Sequence, residues 1–145
     1  MSGRGFVVAV LGAESTGKTT LCGELGALLS AEGRDAVVVG EYLREFCDRH
    51  ARTPRRDEQA AIAAEQTRRI DAAAVQHAIV IADTTALMIA VYSDQVFGDR
   101  SLYASAEHAQ RRRVLGDRRG RRDAPGGRAL GGGTHARPEA GERSG

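Results

Sequence analysis

The chain has 145 residues, no Trp, and 4% aromatic residues within a hydrophobic total of 41%, so one domain with an aliphatic, alanine-rich core is expected. The net charge of +2 divides unevenly: residues 109–145 hold ten Arg against four acidic residues, or +6, which leaves −4 for the remainder. A mildly acidic body disfavours nucleic acid and membrane phosphates as partners, and only the basic tail offers either a contact.

Near the N-terminus, Phe6–Leu11 (FVVAVL) is a continuous run rich in β-branched residues. It predicts a strand buried on both faces of a parallel sheet. A glycine-rich turn follows. Thr19–Ala31 then reads as a helix with Leu21, Leu25, Leu28 and Leu29 on one face, stopped by Gly33. Ala36–Val39 (AVVV) predicts a second buried strand, and Glu41–His50 a helix broken by Thr53-Pro54. A long alanine-rich helix is expected from an N-cap at Asp57 to about Val75. Ile79–Ala82 (IVIA) predicts a third buried strand ending at Asp83. Helices at Ala86–Val96 and Ser101–Arg113 are separated by Gly98-Asp99.

This alternation calls for right-handed crossovers and a parallel sheet. With G-x-x-x-x-G-K-[ST] matched at Gly12–Thr19 between the first strand and the first helix, the predicted fold is α/β, a P-loop NTPase-type parallel sheet with flanking helices, incomplete at about three recognisable strands. The division expected is an ordered domain over 1–108 and an Arg/Gly-rich tail over 109–145. In that tail nine of 37 residues are Gly, and Val114, Leu115 and Leu130 are its large apolar side chains. So little apolar surface cannot offset the entropy of ordering, and disorder is expected. Either a nucleic-acid-binding tail or a sequence foreign to the fold fits that composition; the partner expectation is no nucleic acid.

Two isolated cysteines, Cys22 and Cys47, lack CxxC spacing and read as reduced thiols rather than a disulfide scaffold. The first apolar run is too short and too soon charged for a signal peptide, and no stretch approaches the ~18 apolar residues of a membrane span. A cytoplasmic location without a membrane partner is expected.

The strongest signal is Gly12-Ala13-Glu14-Ser15-Thr16-Gly17-Lys18-Thr19, a full match to G-x-x-x-x-G-K-[ST] between a strand and an amphipathic helix. Glycine allows the backbone to wrap an anion with successive N–H groups turned inward. The helix beginning near Lys18 aims its positive end at the same place. Lys18 would reach the β- and γ-phosphates of ATP, the Thr19 hydroxyl would ligate Mg²⁺, and Thr20 completes the binding segment. Lys18 is also the sole lysine of the chain, among twenty arginines.

Four further positions carry candidate chemistry. Asp83, at the carboxyl end of a buried strand, suits a carboxylate holding Mg²⁺ through water, or else a cap for the next helix. Glu41 follows the second strand directly, where open α/β sheets bind ligands, and could accept the proton of a substrate hydroxyl. Arg44, one turn onward, could contact a phosphate or a substrate carboxamide. In the long helix, Ile62, Gln66 and Ile70 share one face. An apolar-facing Gln must find a partner, either a ligand amide or nucleobase or a backbone carbonyl. Tyr92, Phe97 and Tyr103 are spaced for packing, and the histidines show no metal-ligand spacing.

Four segments in order, VLGAESTGKTTL, GEYLREF, TPRRDEQAAIAAEQ and IVIADTTALMIAVYSDQVFGD, make residues 5–108 resemble the ATP-binding kinase domain family typified by the ribosylnicotinamide kinase domain of bacterial NadR. The resemblance implies phosphorylation of the 5′-hydroxyl of nicotinamide riboside or a similar small acceptor. It implies ATP at Gly12–Thr19, Mg²⁺ at Asp83, and Glu41 with Arg44 facing the acceptor. Lys18, Glu41 and Asp83 would be catalytic, and Glu41, Arg44 and Gln66 would meet the acceptor. The rivals are an ATPase-like module and an incompetent truncated domain. A guanine-reading N-K-x-D is excluded, since the one lysine lies in the phosphate loop.

Overall fold

The computed structural model describes residues 3–13 and 15–111. Its elements in chain order are β1 (Phe6–Val10), α1 (Lys18–Ala31), β2 (Ala36–Val39), α2 (Tyr42–His50), a 3₁₀ turn (Arg56–Glu58), α3 (Gln59–Gln76), β3 (Ile79–Asp83) and α4 (Ala86–Phe97). A fifth helix, α5, covers 102–111. The expected tail lies outside the described residues from 112 onward, and α5 runs across the expected boundary at 108/109.

The three strands form one parallel sheet in the order β1-β3-β2, with Val10 opposite Asp83 and Val39 opposite Ala82. The last strand in sequence is therefore central. β3 is buried from Val80 to Asp83, and its side chains alternate between two faces. Val80 and Ala82 pack with Val39, Ile70 and Ala74 beneath α3. Ile81 points the other way, toward α1, close to Gly26. A second cluster joins Phe46, Ile62, Ile89, Ala90 and Leu102 across α2, α3, α4 and α5. Complete burial of an aliphatic side chain such as Ile62 or Ile89 contributes about 1.5–3 kcal/mol.

Several expectations are corrected by this packing. β1 is not buried on both faces: Phe6 is 56% exposed, and among the described residues β1 is an edge strand beside β3. β2 is likewise an edge strand of this sheet, with Val38 exposed. On α1, Leu21 and Leu28 face solvent, while Cys22 and Gly26 are the buried positions. The reason is steric. A Cβ on Gly26 would lie 2.7 Å from Val38 Cγ2, so α1 sits on the sheet through its smallest residue, and the leucine row is rotated off the contact. Asp57 does not cap α3; it lies in the 3₁₀ turn, where Glu58 takes the backbone N–H of Arg55 at 2.7 Å. Glu58 is itself held by a two-pronged pair with Arg52, at 2.7 Å for each bond.

Candidate functional site

The turn between β1 and α1 adopts a conformation open to an anion. Ser15 and Gly17 both have positive φ, 59° and 79°, which reverses the chain and presents backbone N–H groups at the start of α1. Gly17 is the N-cap and supplies no side-chain acceptor, and the first turn of α1 contains no acidic residue. The positive end of the helix is therefore uncompensated by its own side chains. Gly12 lies against Thr16 and Lys18, where a Cβ would come within 3.2 Å of the Thr16 hydroxyl.

Lys18 folds back over the loop. Its ammonium donates to the Ala13 carbonyl at 2.7 Å, as does the Thr16 hydroxyl at 2.8 Å. An ammonium has three donors, so this contact leaves capacity for phosphate oxygens. Thr20 lies exposed in the first turn of α1, and Glu14 lies outside the described residues.

Opposite the loop, Asp83 is 2% exposed. Its Oδ2 accepts the Thr19 hydroxyl at 2.7 Å, and its Oδ1 is buried without a hydrogen-bond partner among the described residues. Burying an unsatisfied carboxylate oxygen is costly. A hard cation would relieve that cost, and a hydroxyl beside a carboxylate is the oxygen chemistry Mg²⁺ takes. Among the described residues no group of three or more His, Cys, Asp or Glu gathers in one place. An ion held by Thr19 and Asp83 would complete its shell with phosphate oxygens and water. Cys22 lies beneath this pair; burial pushes its thiol pKa up and the charge of Asp83 pushes it the same way, so it is a neutral packing group.

Arg44 reaches across from α2. One arm donates to Thr19 Oγ1 at 3.2 Å, and the other lies 3.6 Å from Glu41 Oε2. The structure thus gathers Lys18, Thr19, Glu41, Arg44 and Asp83 at the carboxyl ends of the three strands. A cleft of about 290 Å³ opens beside them, lined on the loop side by Gly12, Ala13 and Lys18, with Glu41 at its rim and Leu43, Met88 and Tyr92 on the far wall. Two other concavities, of about 230 Å³ along β1 and about 960 Å³ between α3 and α5, lie away from the loop.

Gln66 does not reach that cleft. It is fully buried, and its amide is engaged by backbone groups of Gly40, Tyr42 and Thr84. Of the two partners open to it from sequence, the backbone is the one it meets. Tyr92, in contrast, was expected only to pack and lies at the cleft. Its spacing of four residues from Met88 was the available signal, and it is equally that of core packing. Glu65 accepts from Arg69 one helical turn on at 2.8 Å, and Arg69 also binds Glu45 of α2 at 2.7 Å and lies 4.5 Å over the Tyr42 ring.

A family model described as an AAA domain, of P-loop NTPase type, matches residues 7–115 of the chain. No curated protein matches it. No helix among the described residues is long and apolar enough to cross a membrane.

Proposed function

The chain belongs to the AAA domain family of P-loop NTPase type and is a nucleotide-binding domain; from that premise we propose that it is an ATP-dependent kinase acting on a small hydroxyl-bearing acceptor. The observation that supports this reading is the cleft between the phosphate loop and Glu41. Its volume of about 290 Å³ suits a small molecule rather than a polypeptide segment. Its rim carries a carboxylate able to take a hydroxyl proton.

In this reading the loop amides and Lys18 hold the triphosphate, with its terminal phosphate toward the cleft. Thr19 and Asp83 would hold Mg²⁺, which would supply charge neutralisation at the phosphate oxygens. Glu41 orients the acceptor hydroxyl and receives its proton as that oxygen bonds to the γ-phosphorus and the bond to the β–γ bridging oxygen breaks. Arg44, already beside Thr19, turns to the transferring phosphoryl group. Catalysis is then mainly positioning and charge neutralisation. Leu43, Met88 and Tyr92 favour an acceptor with an apolar or planar portion. Nicotinamide riboside, which the family resemblance implies, belongs to that class.

The AAA family membership itself supports a second reading, an ATPase that hydrolyses nucleotide without an acceptor. One assay separates the two. Purified protein is incubated with Mg²⁺-ATP and a panel of nucleosides including nicotinamide riboside, and products are identified by mass spectrometry. A phosphorylated nucleoside formed in step with ADP supports the kinase. ADP release at the same rate without any acceptor, and without phosphorylated product, replaces it by the ATPase.

A further inference from the structure

The β2–β3 ladder ends where Val39 lies opposite Ala82, one residue short of Gly40 and of Asp83. Beyond that point the two turns bearing the candidate carboxylates have no ladder bonds between them; Gly40 is exposed, Tyr42 is half-buried and Thr84 is buried, and buried backbone groups require partners. Gln66 supplies them. Its Oε1 accepts the Tyr42 N–H at 2.8 Å, and its Nε2 donates to the Gly40 carbonyl at 3.2 Å and the Thr84 carbonyl at 3.3 Å. Gly40 and Tyr42 flank Glu41; Thr84 follows Asp83.

Thr84 adds a second observation. It has φ of 79°, a left-handed conformation unfavourable for a β-branched residue. Its N–H is bound to the Val10 carbonyl at 3.2 Å while its carbonyl is turned to Gln66. The strained turn after Asp83 is thus held from both sides, by β1 and by α3. Strain of this kind persists where surrounding bonds over-determine the conformation.

We propose that Gln66 is a positioning residue, whose single side-chain amide fixes the turn after Asp83 against the turn bearing Glu41 and thereby sets the placement of Asp83 at the metal–nucleotide end of the site. This rests on the reading above, in which Asp83 and Thr19 serve Mg²⁺ and Glu41 the acceptor. Gln59 offers an internal comparison. It is also fully buried and on the same helix, but its amide makes a bond of 3.4 Å to Pro54 at the far end of α3.

The test measures the affinity of the whole chain for AMPPNP, a non-hydrolysable ATP analogue, with Mg²⁺ and with EDTA, and takes the ratio. Gln66→Leu is expected to reduce the Mg²⁺-dependent gain about tenfold or more, in the range seen when groups supporting a metal ligand are removed. Gln59→Leu should leave the ratio unchanged. Equal ratios for the two variants overturn the proposal. If Gln66→Leu does not fold, the side-chain amide resonances of the wild-type chain decide. Those of Gln66 should shift further with Mg²⁺-AMPPNP than with AMPPNP in EDTA, and those of Gln59 should not; identical shifts of Gln66 in both conditions overturn it. A wild-type chain with no Mg²⁺-dependent gain removes the functional reading and this inference together, whereas a wild-type gain that Gln66→Leu preserves removes this inference alone.

Discussion

The Thr19 hydroxyl donates to Asp83 Oδ2 at 2.7 Å, joining the first turn of α1 to the end of β3 across 64 positions of sequence. One oxygen of that carboxylate is satisfied and the other is buried without a hydrogen-bond partner among the described residues. The asymmetry leads to the first prediction.

Asp83→Asn should weaken Mg²⁺-dependent nucleotide binding by about tenfold or more, while the nucleotide-free protein melts at the same or a higher temperature. The neutral side chain retains an acceptor for Thr19 and removes a buried charge with an unmet oxygen. Thermal melts with and without Mg²⁺-AMPPNP check both halves. A fall of several degrees in the nucleotide-free melt would show that the carboxylate is structural.

Lys18→Ala should lower nucleotide affinity about 10- to 100-fold, the worth of hydrogen bonds between an ammonium and phosphate oxygens. Its one protein contact among the described hydrogen bonds is to the Ala13 carbonyl. Stability should therefore change by no more than about 0.5 kcal/mol. Calorimetric titration beside a urea unfolding curve tests this, and wild-type affinity in the variant would refute the role of the loop lysine.

The acid limb of stability should depend on Glu58. The Arg52 guanidinium, with the Arg55 N–H, holds its carboxyl at about 2 instead of the usual 4.5. A depressed folded-state pKa contributes stability that is full above 4.5 and is lost as pH falls toward about 2. Arg52→Gln should melt below wild type above pH 4.5 and converge with it near the lower value. A constant offset between the two melting curves at every pH would contradict the linkage.

Gly26→Ala should destabilise the fold even though alanine favours a helix over glycine by about 1 kcal/mol. The new Cβ would meet Val38 Cγ2 at 2.7 Å, and overpacking of this kind costs about 1–3 kcal/mol. Val38→Ala in the same chain should recover much of the loss. Denaturant curves of the two single variants and the double variant give the coupling energy; strict additivity would mean that the close approach does not govern this interface.

Much of this architecture was legible in sequence. The runs around Val8, Val38 and Val80 announced strands, the intervening periodic segments announced helices, and together they implied a parallel sheet. Faces were less legible. Four leucines on α1 suggested a buried row, yet Leu21 and Leu28 face solvent, because the helix contacts the sheet through Gly26, whose lack of a side chain cannot register as hydrophobic. Burial of β1 was overestimated as well: apolar content reports what a strand tolerates, not what covers its two faces.

At the site, the eight residues Gly12–Thr19 were recognisable by themselves, since a loop of consecutive amides and one lysine is a local device encoded by contiguous chain. Local order also placed Glu41 and Asp83 at strand ends. Tertiary structure alone decided that Asp83 meets Thr19, that Arg44 leans on Thr19 and Glu41, and that Gln66 turns its amide to the backbone of two separate turns. Those contacts join residues distant in sequence. Their partners follow from strand order and helix rotation, which hydrophobic periodicity constrains but does not specify.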